Sequence, residues 1–255
     1  MIAKIPRTKA SELFETLRGI MRTPSAFELK KWEREAKAGL ETDAVMAHQC
    51  LGMIAVLRWD VEEVRRRFRA ASYLDNAHDV ERNLAVALAR MNLLDDATAH
   101  LEHLFSSGMR SPGILASLAG FYAEAGRLSE AVASDQKYFE LTGQENPSAK
   151  QRLQLKMWLD DIVGNEVIVQ KAHRIVRRFL LERKVHLEVS KAEANLVPSD
   201  SWIYITFLVH ASVEDAARLD SELTPALFRE IEDMPWGSFG VRIEAFEEDM
   251  HAEVA

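Results

Sequence analysis

His100 and His103 stand three residues apart with Asp96 one helical turn earlier, a spacing that sets two imidazoles and a carboxylate on one side of a helix, where a divalent metal could bind. Leu101 and Leu104 take the apolar positions of the same stretch, so the histidines are expected near the surface with no metal between them. The adjacent pairs Asp95-Asp96 and Asp160-Asp161 point in different directions on a helix and make poor shared-proton dyads. His186, His210 and scattered carboxylates offer acid–base chemistry, but nothing in the sequence draws them together. There is no glycine-rich phosphate loop, no dinucleotide-binding glycine motif, no HExxH, no GxSxG and no paired CxxC. The single Cys50 excludes an intrachain disulfide and a Cys-built zinc site, and fits a reducing compartment. The expectation is a chain that is not an enzyme and uses no cofactor or metal.

Arg65, Arg66, Arg67 and Arg69, and later Arg174, Arg177, Arg178, Arg183 and Lys184, are dense enough to suggest phosphate contacts. They alternate with Val64, Phe68, Ile175, Val176 and Phe179, which reads as solvated faces of amphipathic helices. The 255 residues carry a formal charge of −8, which disfavours bulk attraction to nucleic acid or an anionic membrane. That charge is uneven: residues 1–184 are +3 and residues 185–255 are −11. The acidic part could therefore dock on the arginines. At the same place, stretches rich in Ala, Leu, Glu and Arg give way to β-branched and aromatic runs. Two domains are expected, 1–184 helical and 185–255 small and acidic. Uncharged stretches such as Ser111 to Ala123 fall short of the roughly 18 residues of a membrane span. The start has no signal-peptide pattern, so a cytoplasmic protein is expected.

The elements behind these side chains show a period near 34 residues. Leu51-Gly52, Leu84-Ala85 and Leu118-Ala119 recur at spacings of 33 and 34 in the first helix of each unit. In the second helices Val64, Ala97 and Ala131 are equivalent, as are Phe68 with Leu101 and Ala71 with Leu104. Where the chain must reverse stand Trp59, Asn92 and Gly126. A small residue lets two helix backbones approach while a large neighbour fills the gap beside it.

On these large-then-small pairs, and on Ala97 and Ala131 at the helix crossings, residues 45–145 resemble the tetratricopeptide repeat family. They depart from its pattern at Val64 and Asn76. The resemblance implies antiparallel helix pairs stacked in an array, which needs covered ends. A helix with Phe27, Leu29, Trp32 and Ala36 near one face precedes the repeats. After them come a helix with Leu153, Met157 and Trp158 near one face, and one with Ile168, Ala172, Ile175, Val176 and Phe179.

Beyond 184, three alternating stretches read as strands: Val185, Leu187, Val189; Ile203, Ile205, Phe207, Val209; and Phe239, Val241, Ile243, Ala245. Between the last two lies a helix with Ala216, Leu219, Leu223, Leu227 and Ile231 inward, capped by Ser212 and Asp215, with Thr224-Pro225 expected to kink or divide it. The fold class is thus mainly α, a repeat array followed by a small ββαβ domain. Exposed edges and a face carrying Trp202, Tyr204 and Leu208 would let the sheet pair with a second copy or with the helical part.

In this family the first helix of each repeat lines the concave face. The resemblance therefore implies a partner-binding surface of Met46, Gln49, Met53 and Val56, then Arg82, Asn83, Val86 and Arg90, then Ala116, Gly120 and Ala123. The expected function is a non-enzymatic adaptor or scaffold gripping another protein or peptide there, with homodimerisation open. One alternative is that the groove is filled by the chain's own terminal segment or by a second copy. Another is an inhibitor, antitoxin-like or immunity-like, that uses the acidic domain to neutralise a basic target.

Overall fold

The computed structural model describes residues 8–75, 78–197 and 200–246. The chain is mainly helical and divides into two compact units between Met109 and Arg110. Most helices begin where a short polar side chain can take an orphan amide of the first turn. Thr8, Ser25, Asp43, Asp60, Ser111, Asn165 and Ser212 each accept such a hydrogen bond.

The first unit contains α1 (Lys9–Gly19), α2 (Ala26–Ala38), α3 (Ala44–Leu57), α4 (Val61–Leu74), α5 (His78–Arg90) and α6 (Leu94–Ser106). Helices pack as sequential pairs, α3 with α4 and α5 with α6, while α1 and α2 both lie against α3. The second unit opens with the pair α7 (Pro112–Glu124) and α8 (Leu128–Thr142). It continues with α9 (Ala149–Ile162), α10 (Glu166–Arg183), β1 (Leu187–Val197), β2 (Asp200–Val209), α11 (Val213–Glu230) and β3 (Phe239–Ala245). The change of texture at residue 184 lies inside this unit, where Ile175, Val176, Phe179 and Leu180 of α10 share one core with Ile203, Ile205 and Phe207 of β2.

The repeat signal corresponds to repeated geometry. Trp59, Asn92 and Gly126 all have left-handed backbone, with φ of 59°, 60° and 71°. At each, the next residue's amide reaches five residues back: Asp60 to Ala55, Leu93 to Leu88, and Arg127 to Tyr122. These bonds satisfy carbonyls that the ends of α3, α5 and α7 would otherwise leave orphaned. Val64, Ala97 and Ala131 are fully buried, as are Phe68 and Leu101 at the matched large positions. Gly52 is small by necessity, because a Cβ there would stand 2.6 Å from the Phe68 ring.

The sheet has the order β1-β2-β3, with β1 antiparallel and β3 parallel to the central β2. The helix α11 makes the crossover between β2 and β3 and packs against β3. It runs unbroken through Pro225 and is not divided there. A bulge in β1 shifts the register between Leu187, opposite Val209, and Val189, opposite Leu208. Leu187 is therefore buried while Val189 turns to the outer face, and the expected Val185-Leu187-Val189 stripe is broken. The strand also continues well past the expected stretch, through Lys191–Val197, because β2 offers a partner to residues that alone read as helix formers. On the outer face the Tyr204 ring lies where a Cβ on Gly240 would be, at 2.1 Å, so only glycine fits beneath it. Leu208 is buried, whereas Tyr204 is exposed and stacks edge-on with Trp202.

Several expected core residues lie outside. Phe27 is 77% exposed, and only Trp32 and Ala36 of its stripe are buried. Leu153 and Met157 are also exposed, since α9 buries Leu159 from its opposite face.

The Gly52–Phe68 crossing is testable. Gly52→Ala should destabilise the protein by about 1–3 kcal/mol, as overpacking of a tight core does. Gly120→Ala, with open space at the Cβ position, should be neutral or mildly stabilising in the same urea titration.

Candidate functional site

The expected concave-face residues of the first unit are largely engaged by their own chain. Gln49, Met53 and Val56 are buried. Met53 and Val56 share a core with Leu13, Phe14 and Leu17 of α1. Asn83 donates its side-chain amide to Gln49 Oε1 at 2.8 Å. Arg90 turns its guanidinium onto the end of α1, bonding the carbonyls of Leu17 at 3.1 Å, Arg18 at 3.2 Å and Ile20. The chain's own first helix thus covers the apolar positions, and the partner-binding expectation has no open surface at Gln49, Met53 or Val56. Arg82, in an ion pair with Asp79, and Val86 remain partly exposed on α5. In the second unit Ala116 and Gly120 are partly exposed on α7.

The residues that suggested chemistry are otherwise occupied. His100 pairs with Glu81 at 2.9 Å, Ser72 donates to the same carboxylate, and Asp96 pairs with Arg65 at 2.6 Å. The imidazole and then the Ser72 hydroxyl hold Glu81 below the usual carboxylate range, against its partial burial. Such a carboxylate is a poor base for Ser72. His100, Glu81, Ser72 and Arg65 line a hollow of about 270 Å³ with Arg69, Phe68 and Leu84. His103 is exposed, and among the described residues no three His, Cys, Asp or Glu side chains gather as metal ligands. Cys50 is buried against α1, its thiol pushed up to about 12 by burial, and donates to the Ala10 carbonyl at 3.3 Å.

In the second unit, α10 is anchored on the end of α7. His173 Nδ1 lies 2.7 Å from the Glu124 carbonyl oxygen, and Arg177 reaches the same oxygen at 3.3 Å and the Glu124 carboxylate at 2.9 Å. His173 also meets the Phe207 ring edge-on. Full burial, opposed by the carbonyl contact and reinforced by Arg177, pushes its pKa down to about 4. The acidic residues of the α11 face are met by α10: Arg178 pairs with Glu230, and Arg183 with Glu222 at 3.1 Å. Arg65, Arg177, Arg178 and Arg183, all among the arginines that resembled a phosphate surface, are thus used within the chain.

An open, largely apolar concavity lies between α8 and α9. It holds about 280 Å³, walled by Val132 and Phe139 from α8 and by Ala149 and Leu153 from α9. Phe139 is 46%, Leu153 47% and the adjoining Met157 54% exposed. Below it, Asp135 accepts two hydrogen bonds from Arg152 at 2.7 Å and one from Asn146 at 2.8 Å. This buried, fully bonded fork fixes the α8–α9 connection, so the walls hold their spacing. Phe139 and Ala149 are absent from the sequence expectation. The signal for Ala149 is the spacing itself: Ala149, Leu153 and Met157 recur every fourth residue on the side of α9 opposite Leu155, Leu159 and Ile162. A helix apolar on two opposite faces can bury only one of them on its own core.

No family model, curated protein or solved structure matches the chain. No described helix is long and apolar enough to cross a membrane.

Arg90→Ala should release the carbonyls at the end of α1, lowering stability by about 2 kcal/mol and accelerating amide exchange across residues 9–19. Arg82→Ala should leave both unchanged. For His173, the folded pKa of about 4 lies below the ordinary 6.5, so the unfolded chain takes up the proton first. The neutral ring's contribution is complete above pH 6.5 and is lost as pH falls toward 4, by up to roughly 3 kcal/mol. The stability difference between wild type and His173→Gln in urea unfolding should shrink over that interval.

Proposed function

We propose that the chain is a non-enzymatic adaptor of tetratricopeptide-repeat type that binds a partner polypeptide on its exposed helical surface, in the cytoplasm. The observation that carries this reading is the α8–α9 groove, whose exposed Phe139, Leu153 and Met157 form an apolar strip on a rigid, ion-paired base. A short helix or extended segment with two apolar anchors suits such a strip. Lys150 and Glu145, paired at 3.1 Å on its rim, can orient a polar flank. Met157 adds a flexible thioether that adapts to varied shapes. Arg82, Val86, Ala116 and Gly120, partly exposed on the first helices of their pairs, extend the same reading, with Arg82 favouring an acidic residue on the partner.

The test is selection of peptides from a displayed random library on the full chain, followed by titration of the enriched sequences. Peptides with two apolar anchors should emerge. Leu153→Glu or Phe139→Glu should weaken them by at least about tenfold, the effect of losing one well-buried anchor. Helical circular dichroism should stay unchanged, since both side chains are already exposed. Retained affinity in those variants with loss in Arg82→Glu would move the site to α5. Failure to enrich any peptide would reject the adaptor reading.

A further inference from the structure

β1 stands at the edge of the sheet, and among the described residues no strand pairs with its outer side. The direction of its outward backbone groups follows from β2. The Ile203 amide bonds the Ser238 carbonyl on the β3 side, so Ile203, Ile205 and Phe207 direct their backbone groups to β3. Tyr204 and Thr206 must then direct theirs to β1, where they face Glu193 and Lys191. The intervening Ser190, Ala192 and Ala194 consequently present their N–H and C=O groups outward. Unused edge groups of this kind are a template for another strand.

We propose that the strand taken up is β1 of a second copy, antiparallel and related by a twofold axis through Ala192. The sequence around that residue is self-complementary under this operation. Ala192 meets its own copy as a hydrogen-bonded pair, with its N–H and C=O already pointing at the axis. Ser190 meets Ala194 of the other chain, which adds two further bonded pairs of small side chains. Lys191 falls opposite Glu193, twice by symmetry, in the non-bonded positions where side chains lie closest. Lys191 is exposed and has no ion pair among the described residues, and Glu193, already touching Arg242 at 3.1 Å, is 60% exposed. The exposed Leu196 and Val197 then lie over the start of the partner strand. The other edge offers no such match, since the same operation about Arg242, the central residue of β3, sets two arginines face to face. The result is a continuous six-stranded sheet whose joint uses no residue of the α8–α9 groove.

The test is sedimentation of the full chain at concentrations up to about 100 μM. Wild type should reach twice the 28.9 kDa chain mass. Ala192→Pro removes an outward N–H without touching the β1–β2 ladder and should leave a folded monomer. Lys191→Glu and Glu193→Lys each set like charges opposite one another and should weaken association by about tenfold or more. An equimolar mixture of these two variants should recover the dimer as a mixed pair, because each supplies what the other lacks. A wild type that stays monomeric throughout overturns the proposal. So does a dimer indifferent to Ala192→Pro, or charge variants that associate as wild type does.

Discussion

A helix cannot satisfy its own last carbonyls, and the arrangement of both units follows from how this chain deals with that constraint. Several helix ends solve it locally, among them those at the left-handed residues Trp59, Asn92 and Gly126, through the long backbone bond that each permits. Two ends recruit side chains from elsewhere in their unit. Arg90 binds the end of α1 and so holds that helix across α3 and α5. His173 and Arg177 bind the Glu124 carbonyl and so tie the α7–α8 pair to the helix that carries the sheet. Contacts that look like incidental polar bonds are thus the points at which helical pairs are joined to what surrounds them.

The same contacts explain what the expected binding side of the first unit has become. Met53 and Val56 present an apolar surface that some helix has to cover, and α1 supplies Leu13, Phe14 and Leu17 to do it. An arginine that would otherwise face a partner is directed to backbone carbonyls of its own chain. Openness has moved to α8 and α9, where an internally bonded Asp135–Arg152 base leaves the flanking apolar residues uncovered.

Much of this was legible in the residues. The large-then-small pairs and the reversal points located the helical hairpins, because side-chain size at a crossing and backbone freedom at a turn are local properties. Strand and helix order beyond residue 184 was legible for the same reason, since alternation and capping are written over a few residues. Less legible was which apolar face goes inside. Phe27, Leu153 and Met157 have the periodicity of core residues and lie in solvent, since burial depends on whether another element arrives. The occupation of Met53, Val56 and Arg90 could not be read either, because it depends on a helix that precedes them by dozens of residues. Charge gave a partial answer: the acidic terminal segment does meet basic side chains, but those of α10 at its own junction.

The bulge at the start of β1 has a reach out of proportion to its size. Side chains along a strand alternate in strict parity, so one extra residue reassigns every position after it. Counted without the insertion, Lys191 and Glu193 would point at Ile205 and Ile203, while Ser190, Ala192 and Ala194 would face water. With it, the charges are delivered to solvent and the alanines to the interior. A single supernumerary residue therefore decides whether this strand can belong to a folded sheet at all, and deleting it would turn the edge of the sheet inside out.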